Sequence, residues 1–179
     1  MKTLKVPLLL PLRYLPTRLT RKDKAVQIKM LLRSRALYKK NKYYTRGTVP
    51  SYNHKKSSHL LDARRMYRVA TVTPGAELSL KTGCTLSALK QIVRKGEGAY
   101  YSSGSRPNQT ARSWGLARLA SALTSGKAAA VDYDILERGC DHKKKAFILA
   151  NKSRKKYGRG RGRGHGHAVR TVATTVPLL

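Results

Sequence analysis

Apolar residues recur at helical spacing along much of the chain. Between residues 23 and 39 they fall three or four positions apart, which predicts a helix with a narrow apolar stripe and a wide basic face. Thr20, three residues before Asp23, is typical of a cap on the first turn. The predicted stripe consists of Ala25, Ile28, Leu32 and Ala36.

Capping residues and glycines divide the rest of the chain into short helices. The predicted helices run from Ser57 or Ser58 to about Tyr67, from Pro74 to Gly83, from Thr85 to Gly96, from Thr110 or Ser113 to about Thr124, from Asp132 to Gly139, and over 143–157. Trp114, Leu119 and Leu123 are expected in the core. The predicted fold class is therefore mainly α, a small helical domain of short helices.

Residues 96–113 contain three glycines, a proline and several hydroxyl side chains, which predicts a long loop. Flexible tethers lack large side chains, whereas this segment carries Tyr100, Tyr101 and Arg106. We therefore expect an ordered loop that presents these three residues to a protein neighbour or a phosphate.

The two ends of the chain differ from its centre. Pro7, Pro11 and Pro16 favour an extended path near the start, and the prolines also interrupt an apolar run that would otherwise resemble a signal peptide. Residues 158–167 alternate glycine with basic residues. The predicted organisation is a basic N-terminal arm with one helix (1–56), a central helical domain (57–141), and a basic helix with a Gly/Arg tail (142–179).

Charge indicates the kind of partner. Lys and Arg number 39 against 8 Asp and Glu, a net charge of +31 at pH 7. The centre is nearly balanced, and residues 142–179 contain no acidic residue at all. A packed domain with basic extensions is typical of polyanion binding. We expect nucleic acid, bound without sequence specificity and as double-stranded DNA, with a membrane surface as the less favoured anion.

The segment from Lys39 to Arg46 interleaves cations with Tyr43 and Tyr44. This combination is typical of surfaces that bind exposed bases, although the same tyrosines could equally anchor the arm to its own domain. The candidate nucleic-acid-binding residues are Lys39, Lys40, Lys42, Arg46, Lys90, Arg94, Lys143, Lys144, Lys145, Arg154, Lys155, Lys156, Arg159, Arg161 and Arg163.

Residues 75–93 fit a helix-turn-helix template. Gly83 occupies the turn position, and the inward positions are taken by Leu78, Ser79, Leu89 and Ile92. Thr82 departs from the template, since its position is usually apolar. The second helix would then contact a DNA groove or phosphates through Ser87, Lys90, Gln91 and Arg94. The alternative is a helical hairpin retained only for packing.

Candidate chemistry beyond binding is sparse. Cys84 and Cys140 are too few for a disulfide scaffold and are expected to be free and buried; with His142 they do not supply the four ligands of structural zinc. Asp132 is interpreted as a helix cap and the acidic residues near it as partners of neighbouring cations. We expect no cofactor, no metal site and no enzymatic activity.

The segment from Gly96 to Thr110, GEGAYYSSGSRPNQT, together with residues 113–121 and 126–133, resembles an uncharacterised domain family of nucleocytoplasmic large DNA viruses of the chlorella-virus type. The resemblance covers about residues 40–140 and transfers no functional residue. It implies a virion protein, either a minor capsid or a core-associated component, that binds viral DNA and neighbouring virion proteins, and that occupies the host nucleus or cytoplasm during assembly. The alternatives are a helix-turn-helix DNA-binding or packaging protein and a ribosomal protein.

Overall fold

The computed structural model describes residues 8–53, 57–158 and 171–174, and within them the predicted mainly helical fold is confirmed. The elements are β1 (Leu8–Pro11), a short 3-10 helix (Leu12–Tyr14), α1 (Arg21–Tyr38), α2 (Ser58–Tyr67), α3 (Ala76–Thr82), α4 (Leu86–Ser102), α5 (Ala111–Leu123), α6 (Lys127–Val131), α7 (Tyr133–Gly139), α8 (Lys145–Tyr157) and β2 (Thr171–Thr174).

The chain forms two compact units. Of the described residues, unit 1 contains 8–53, 102–109 and 171–174, and unit 2 contains 57–101 and 110–158. The division differs from the three segments expected from sequence, because α8 packs against α5, α6 and α7 in unit 2. In unit 1, β1 pairs with β2 in antiparallel register, with Leu8 opposite Thr174 and Pro11 opposite Thr171.

Helix α1 begins as predicted but buries a different face. The Thr20 hydroxyl accepts a hydrogen bond from the Asp23 N–H (3.2 Å), which confirms the cap. The predicted stripe is wrong at Ala25 and Ala36, which are exposed, and right at Ile28, which is buried; Leu32 is half-buried. The buried face instead includes Gln27, whose side-chain amide donates to two backbone carbonyls of unit 1. A polar residue with such partners belongs to the core, and an apolar pattern cannot reveal it. The buried residues of α1 are Gln27, Ile28, Met30, Leu31 and Ser34.

The core of unit 2 is apolar and contributed by several helices, with Leu89, Ile92, Leu119, Leu123 and Leu136 all 0% exposed. The prediction for Leu119 and Leu123 is therefore confirmed. The prediction for Trp114 is wrong, because its side chain is only half-buried.

The predicted loop over residues 96–113 is also wrong in its first part. Helix α4 continues through Gly96 to Ser102. Gly96 does not end a helix because it faces another one: a Cβ built on Gly96 would lie 2.6 Å from the Cα of Gly115 in α5. A Cβ on Gly115 would in turn lie 2.8 Å from the carbonyl oxygen of Val93. The two glycines allow a close helix crossing rather than a turn.

The two cysteines form a disulfide, so the expectation of free cysteines is wrong. Cys84 follows α3 and Cys140 follows α7, and the two residues face each other in an antiparallel bridge. The Thr85 N–H donates to the Gly139 carbonyl (2.7 Å), and the Asp141 N–H donates to the Gly83 carbonyl (2.8 Å). The partners are 56 residues apart, and only the fold brings them together.

Asp132 precedes α7 but does not cap it through its side chain. Its carboxylate is fully buried and accepts two hydrogen bonds from the Arg118 guanidinium, at 2.7 and 2.8 Å. The Lys95 Nζ lies 2.7 Å from the same carboxylate. Asp132 therefore occupies the predicted cap position, but its side chain does not cap α7 and instead links α4, α5 and the start of α7.

Removing the disulfide should destabilise unit 2. A cross-link closing a segment of this length restricts the unfolded chain by about 4 kcal/mol in the chain-entropy estimate. We expect the double variant Cys84→Ser/Cys140→Ser, or the wild type in reducing buffer, to lose about that much unfolding free energy in denaturant titrations. Two titratable thiols in unreduced native protein, with no effect of reductant on stability, would contradict the assignment.

Asp132→Asn should lower the unfolding free energy by about 3 kcal/mol, because it leaves the Arg118 guanidinium without its buried counter-ion. Lys95→Gln is the matched control. The Lys95 side chain is 46% exposed, so its loss should cost under about 1 kcal/mol. Equal effects of the two substitutions in urea titrations would show that burial does not govern this ion pair.

Candidate nucleic-acid interface

The segment from α3 to α4 contains the glycine turn and the buried inward leucine and isoleucine residues that the template predicts. Gly83 ends α3 with φ of 71°, a left-handed conformation that favours glycine. Leu78 of α3 and Leu89 and Ile92 of α4 are buried in the unit 2 core. The Ser79 hydroxyl donates to the Cys84 carbonyl, which ties α3 to the turn. The two helices on either side of this short glycine turn are thus held in place because their inward residues pack in the unit 2 core.

The hydrogen bonds of Thr82 explain why a polar residue occupies a position that is usually apolar in the template. Its side chain is fully buried, and its hydroxyl donates to the Leu78 carbonyl (2.7 Å). The same hydroxyl accepts a weaker hydrogen bond from the Cys84 N–H (3.3 Å). A hydroxyl with both functions satisfied can occupy a position where an apolar side chain is usual.

The start of α4 is fixed on both sides of Thr85. The Thr85 hydroxyl accepts a hydrogen bond from the Ala88 N–H (3.2 Å), which confirms the predicted cap. The preceding residue, Cys84, is held by the disulfide to Cys140. The orientation of the first turns of α4 therefore does not depend on helix propensity alone.

The outward face of α4 is polar and basic. Its exposed side chains line an open depression of about 550 Å³, and Leu86 at its edge is 38% exposed. The residues that share this surface are Leu86, Ser87, Lys90, Gln91 and Arg94. Four of them are the residues that the template placed on the outward face, and all four are exposed.

The charges on this face are not neutralised within the part of the chain that the structure describes. Neither Lys90 nor Arg94 makes an ion pair there. The neighbouring charges of α4 behave differently: Lys95 contacts Asp132, and Glu97 lies 3.5 Å from the Arg112 guanidinium. The carboxylates nearby are thus engaged elsewhere, and the outward face stays positive.

A second group of candidate residues lies at the same turn. Lys143, Lys144 and Lys145 are exposed at the start of α8. The Lys144 side chain covers Gly83, since a Cβ on that glycine would lie 2.9 Å from the Lys144 Cβ. The exposed lysines at the start of α8 therefore lie beside the turn between α3 and α4.

One candidate in unit 1 is structural. Arg46 is only 7% exposed, and its guanidinium donates to the hydroxyls of Ser34 (3.1 Å) and Ser105 (2.7 Å). The prediction that Arg46 contacts nucleic acid is wrong, because its donors are directed into the unit. Lys39, Lys40 and Lys42 are exposed, as that prediction requires.

The candidate nucleic-acid-binding residues at the end of α8 differ in whether they have partners within the protein. The Arg154 guanidinium stacks over the Tyr133 ring at 4.1 Å and lies 3.9 Å from the Glu137 carboxylate, which gives it packing and charge partners of its own. Lys155 and Lys156 are exposed. Arg159, Arg161 and Arg163 lie outside the described residues.

The three residues that were expected to dock a partner differ in their exposure. Tyr100 is 0% exposed within α4, so the expectation that it is presented to a partner is wrong. Tyr101 is half-buried with its ring edge against Tyr100 (5.0 Å), and Arg106 is exposed. The loop that carries Arg106 is ordered, since the Asn108 side chain bonds the backbone of Val49 and Tyr52 at 2.7 to 3.1 Å. Sequence analysis missed Asn108, because an asparagine in a turn-rich segment signals only the turn.

Asp23 is the only acidic residue in the sequence of unit 1, and it is engaged locally. Its carboxylate accepts a hydrogen bond from the Ser51 N–H (2.8 Å). Hydrogen bonding by Ser51, through its side chain and its backbone N–H, lowers the pKa of Asp23 below its ordinary value. The carboxylate therefore stays ionised at neutral pH, but its oxygen atoms accept hydrogen bonds from the protein itself.

The described residues contain no cluster of three or more His, Cys, Asp or Glu side chains suited to a metal ion. None of the helices in this part of the chain combines the length and apolar character needed to cross a membrane.

The molecule so described is a mainly helical protein with a basic face on a helix that follows a glycine turn. A family model described as a family of unknown function (DUF5824) matches residues 11–141, and the chain belongs to this family. The match extends from β1 to just beyond α7. No curated protein and no solved structure matches the chain.

Proposed function

We propose that this protein binds double-stranded DNA with the outward face of α4, and that it does so as a binding protein rather than an enzyme. The observation that carries the proposal is the pair Lys90 and Arg94, exposed and without carboxylate partners in the described residues, on a helix seated behind a glycine turn. A helix that follows a turn and exposes cations in this way supports a role in contacting DNA, since recognition helices are presented similarly.

The chemistry of the face suits duplex DNA. The major groove of B-form DNA admits an α-helix, and Gln and Ser side chains can hydrogen-bond base edges there. Gln91 and Ser87 share the exposed surface with the two cations. Lys143, Lys144 and Lys145 around the turn add charge for the flanking phosphates, which supply most of the affinity of such complexes.

A non-catalytic role is supported by how two carboxylates of unit 2, those of Asp132 and Asp141, are used. Asp132 is buried between Arg118 and Lys95, and Asp141 accepts a hydrogen bond from the Lys143 N–H (2.9 Å). Carboxylates committed to structure in this way are poorly placed for acid–base chemistry on a substrate.

The resemblance to large DNA virus proteins supplies a setting for this proposal. In that setting the protein is a minor capsid or core-associated component that contacts viral DNA and neighbouring virion proteins. Proteomics of purified particles tests the setting separately from DNA binding. Detection in infected cells with absence from particles would remove the virion role and leave the DNA-binding proposal intact.

The double variant Lys90→Gln/Arg94→Gln should weaken binding to duplex DNA by about 10-fold or more near 0.1 M salt, because two phosphate contacts are lost. The slope of log affinity against log salt should fall by about 1.8, at about 0.9 for each contact. Fluorescence anisotropy over a salt series measures both quantities.

The matched control is Lys127→Gln/Lys152→Gln, which removes the same charge from exposed positions on α6 and α8. If both double variants weaken binding equally, affinity follows net charge and the assignment to α4 fails. Double-stranded RNA is the second comparison, since its deep, narrow major groove does not admit a helix. Preferential binding of RNA would favour the ribosomal alternative.

Neutralising the three lysines at the start of α8 tests whether they contribute to DNA binding. Lys143→Gln/Lys144→Gln/Lys145→Gln should lower the salt slope by about 2 to 3 and leave the fold intact. Truncation at residue 142 is unsuitable, because Phe147 and Ala150 of α8 belong to the unit 2 core. An unchanged salt slope in the triple variant would show that the phosphate contacts lie elsewhere.

A further inference from the structure

Unit 1 contains an open cleft of about 780 Å³ beside the C-terminal end of α1. Its lining combines two kinds of side chain. Leu32, Ala36 and Tyr38 supply apolar and aromatic surface, and Arg35, Lys39 and Lys40 supply positive charge. A cleft of this volume has room for a base with its phosphate.

We propose that this cleft binds unpaired nucleotides of single-stranded nucleic acid. The base lies on the apolar and aromatic surface, and the adjoining phosphates contact Lys39 and Lys40. The site is distinct from the outward face of α4, shares no residue with it, and does not rest on the DNA-binding proposal above.

The two adjacent tyrosines have different surroundings, and this difference supplies the aromatic part of the site. Tyr44 packs against the apolar cluster of Leu19, Met30 and Val49, with the Arg33 guanidinium 4.6 Å above its ring. Tyr44 is therefore an anchor within unit 1.

Tyr43 is 69% exposed, and its ring lies edge-on to that of Tyr38, with the centroids 6.1 Å apart. A large aromatic side chain this exposed is unusual in a packed unit and leaves most of its surface available to a ligand. Tyr43 does not line the cleft itself, but its contact with Tyr38, which does, places an exposed ring beside the cleft, and exposed aromatic rings are surfaces on which bases stack.

The cation at the cleft wall is oriented without a counter-ion. The Arg35 guanidinium donates from Nε and Nη2 to the Ser103 carbonyl, at 3.2 and 2.6 Å. Because the Ser103 carbonyl is neutral, this contact does not offset the positive charge of Arg35. Lys39 and Lys40 are exposed, and none of the three makes an ion pair within the described ranges.

This combination favours an unpaired nucleotide over the other anionic ligands. In a duplex the faces of the bases are stacked on each other, so an aromatic platform has nothing to contact. A free phosphate would use the lysines but not the apolar surface. Single strands present a flat apolar face and a phosphate at every residue, which matches the aromatic and cationic parts of the cleft.

The test compares two fluorescent oligonucleotides of equal length and charge binding to the full chain, one of thymidines and one without bases. The wild type should bind the thymidine strand about 10-fold more tightly, since stacking contributes only when bases are present. Tyr43→Ala should abolish this preference and leave affinity for the abasic strand unchanged. Tyr43→Phe, which keeps the ring, should retain the preference.

Charge variants separate the phosphate contacts from stacking. Lys39→Gln/Lys40→Gln should weaken both oligonucleotides and lower the salt slope by about 1.4, at about 0.7 per contact for a single strand. Lys22→Gln/Lys29→Gln, at exposed positions earlier on α1, is the matched control and should have a smaller effect. Circular dichroism melts confirm that each variant is folded.

The proposal is overturned if the wild type binds both strands equally, or if Tyr43→Ala keeps the base preference. It is also overturned if an acidic peptide with aromatic residues, but not thymidine strands, loses affinity in Tyr43→Ala, which would identify a protein ligand. Lys90→Gln/Arg94→Gln should leave the base preference intact. Failure of the duplex experiment and failure of this one are therefore distinguishable.

Discussion

The close crossing of α4 and α5 at Gly96 and Gly115 is the constraint on which the rest of unit 2 depends. Because each glycine removes a side chain where the other helix passes, α4 can lie against α5 with its inner residues, Leu89 and Ile92, fully buried. A side chain at either position would separate the helices and open the core. With the inner face fixed in this way, the residues between the buried ones must point outward, and these include the candidate DNA-binding residues.

The same helix is restrained at its start and along its length by polar interactions. The disulfide from Cys84 holds the turn that precedes α4, and Lys95 reaches the buried Asp132 that Arg118 also binds. A chain with net charge +31 has few carboxylates that can form internal ion pairs. The buried carboxylate of Asp132 joins three elements at once. Since this carboxylate stabilises the fold, it does not neutralise the exposed cations Lys90 and Arg94 of α4, which is the charge distribution that the proposed binding of a polyanion requires.

Local signals predicted much of this arrangement. Thr20, Thr85 and Thr110 cap the helices they were expected to cap, and Gly83 takes the left-handed turn on which the helix-turn-helix interpretation relied. The errors concern residues whose role depends on a distant partner. Gly96 resembles a helix end until Gly115 is known to face it, and Arg46 resembles a surface cation until Ser34 and Ser105 accept its hydrogen bonds. Pairing of Cys84 with Cys140 is likewise a tertiary fact that no spacing rule contains.

Amide chemical shifts of the labelled protein, followed during titration with a duplex of about 12 base pairs, just over one helical turn, test the central claim most directly. Unlike affinity, they report where the DNA lies, which matters for a chain with a net charge of +31, because non-specific attraction to DNA does not identify a surface. The account predicts the largest changes over Leu86–Arg94 and Lys143–Lys145, with the buried residues of α5 little affected. Large changes confined to residues outside both segments, with α4 unperturbed at saturation, would contradict it.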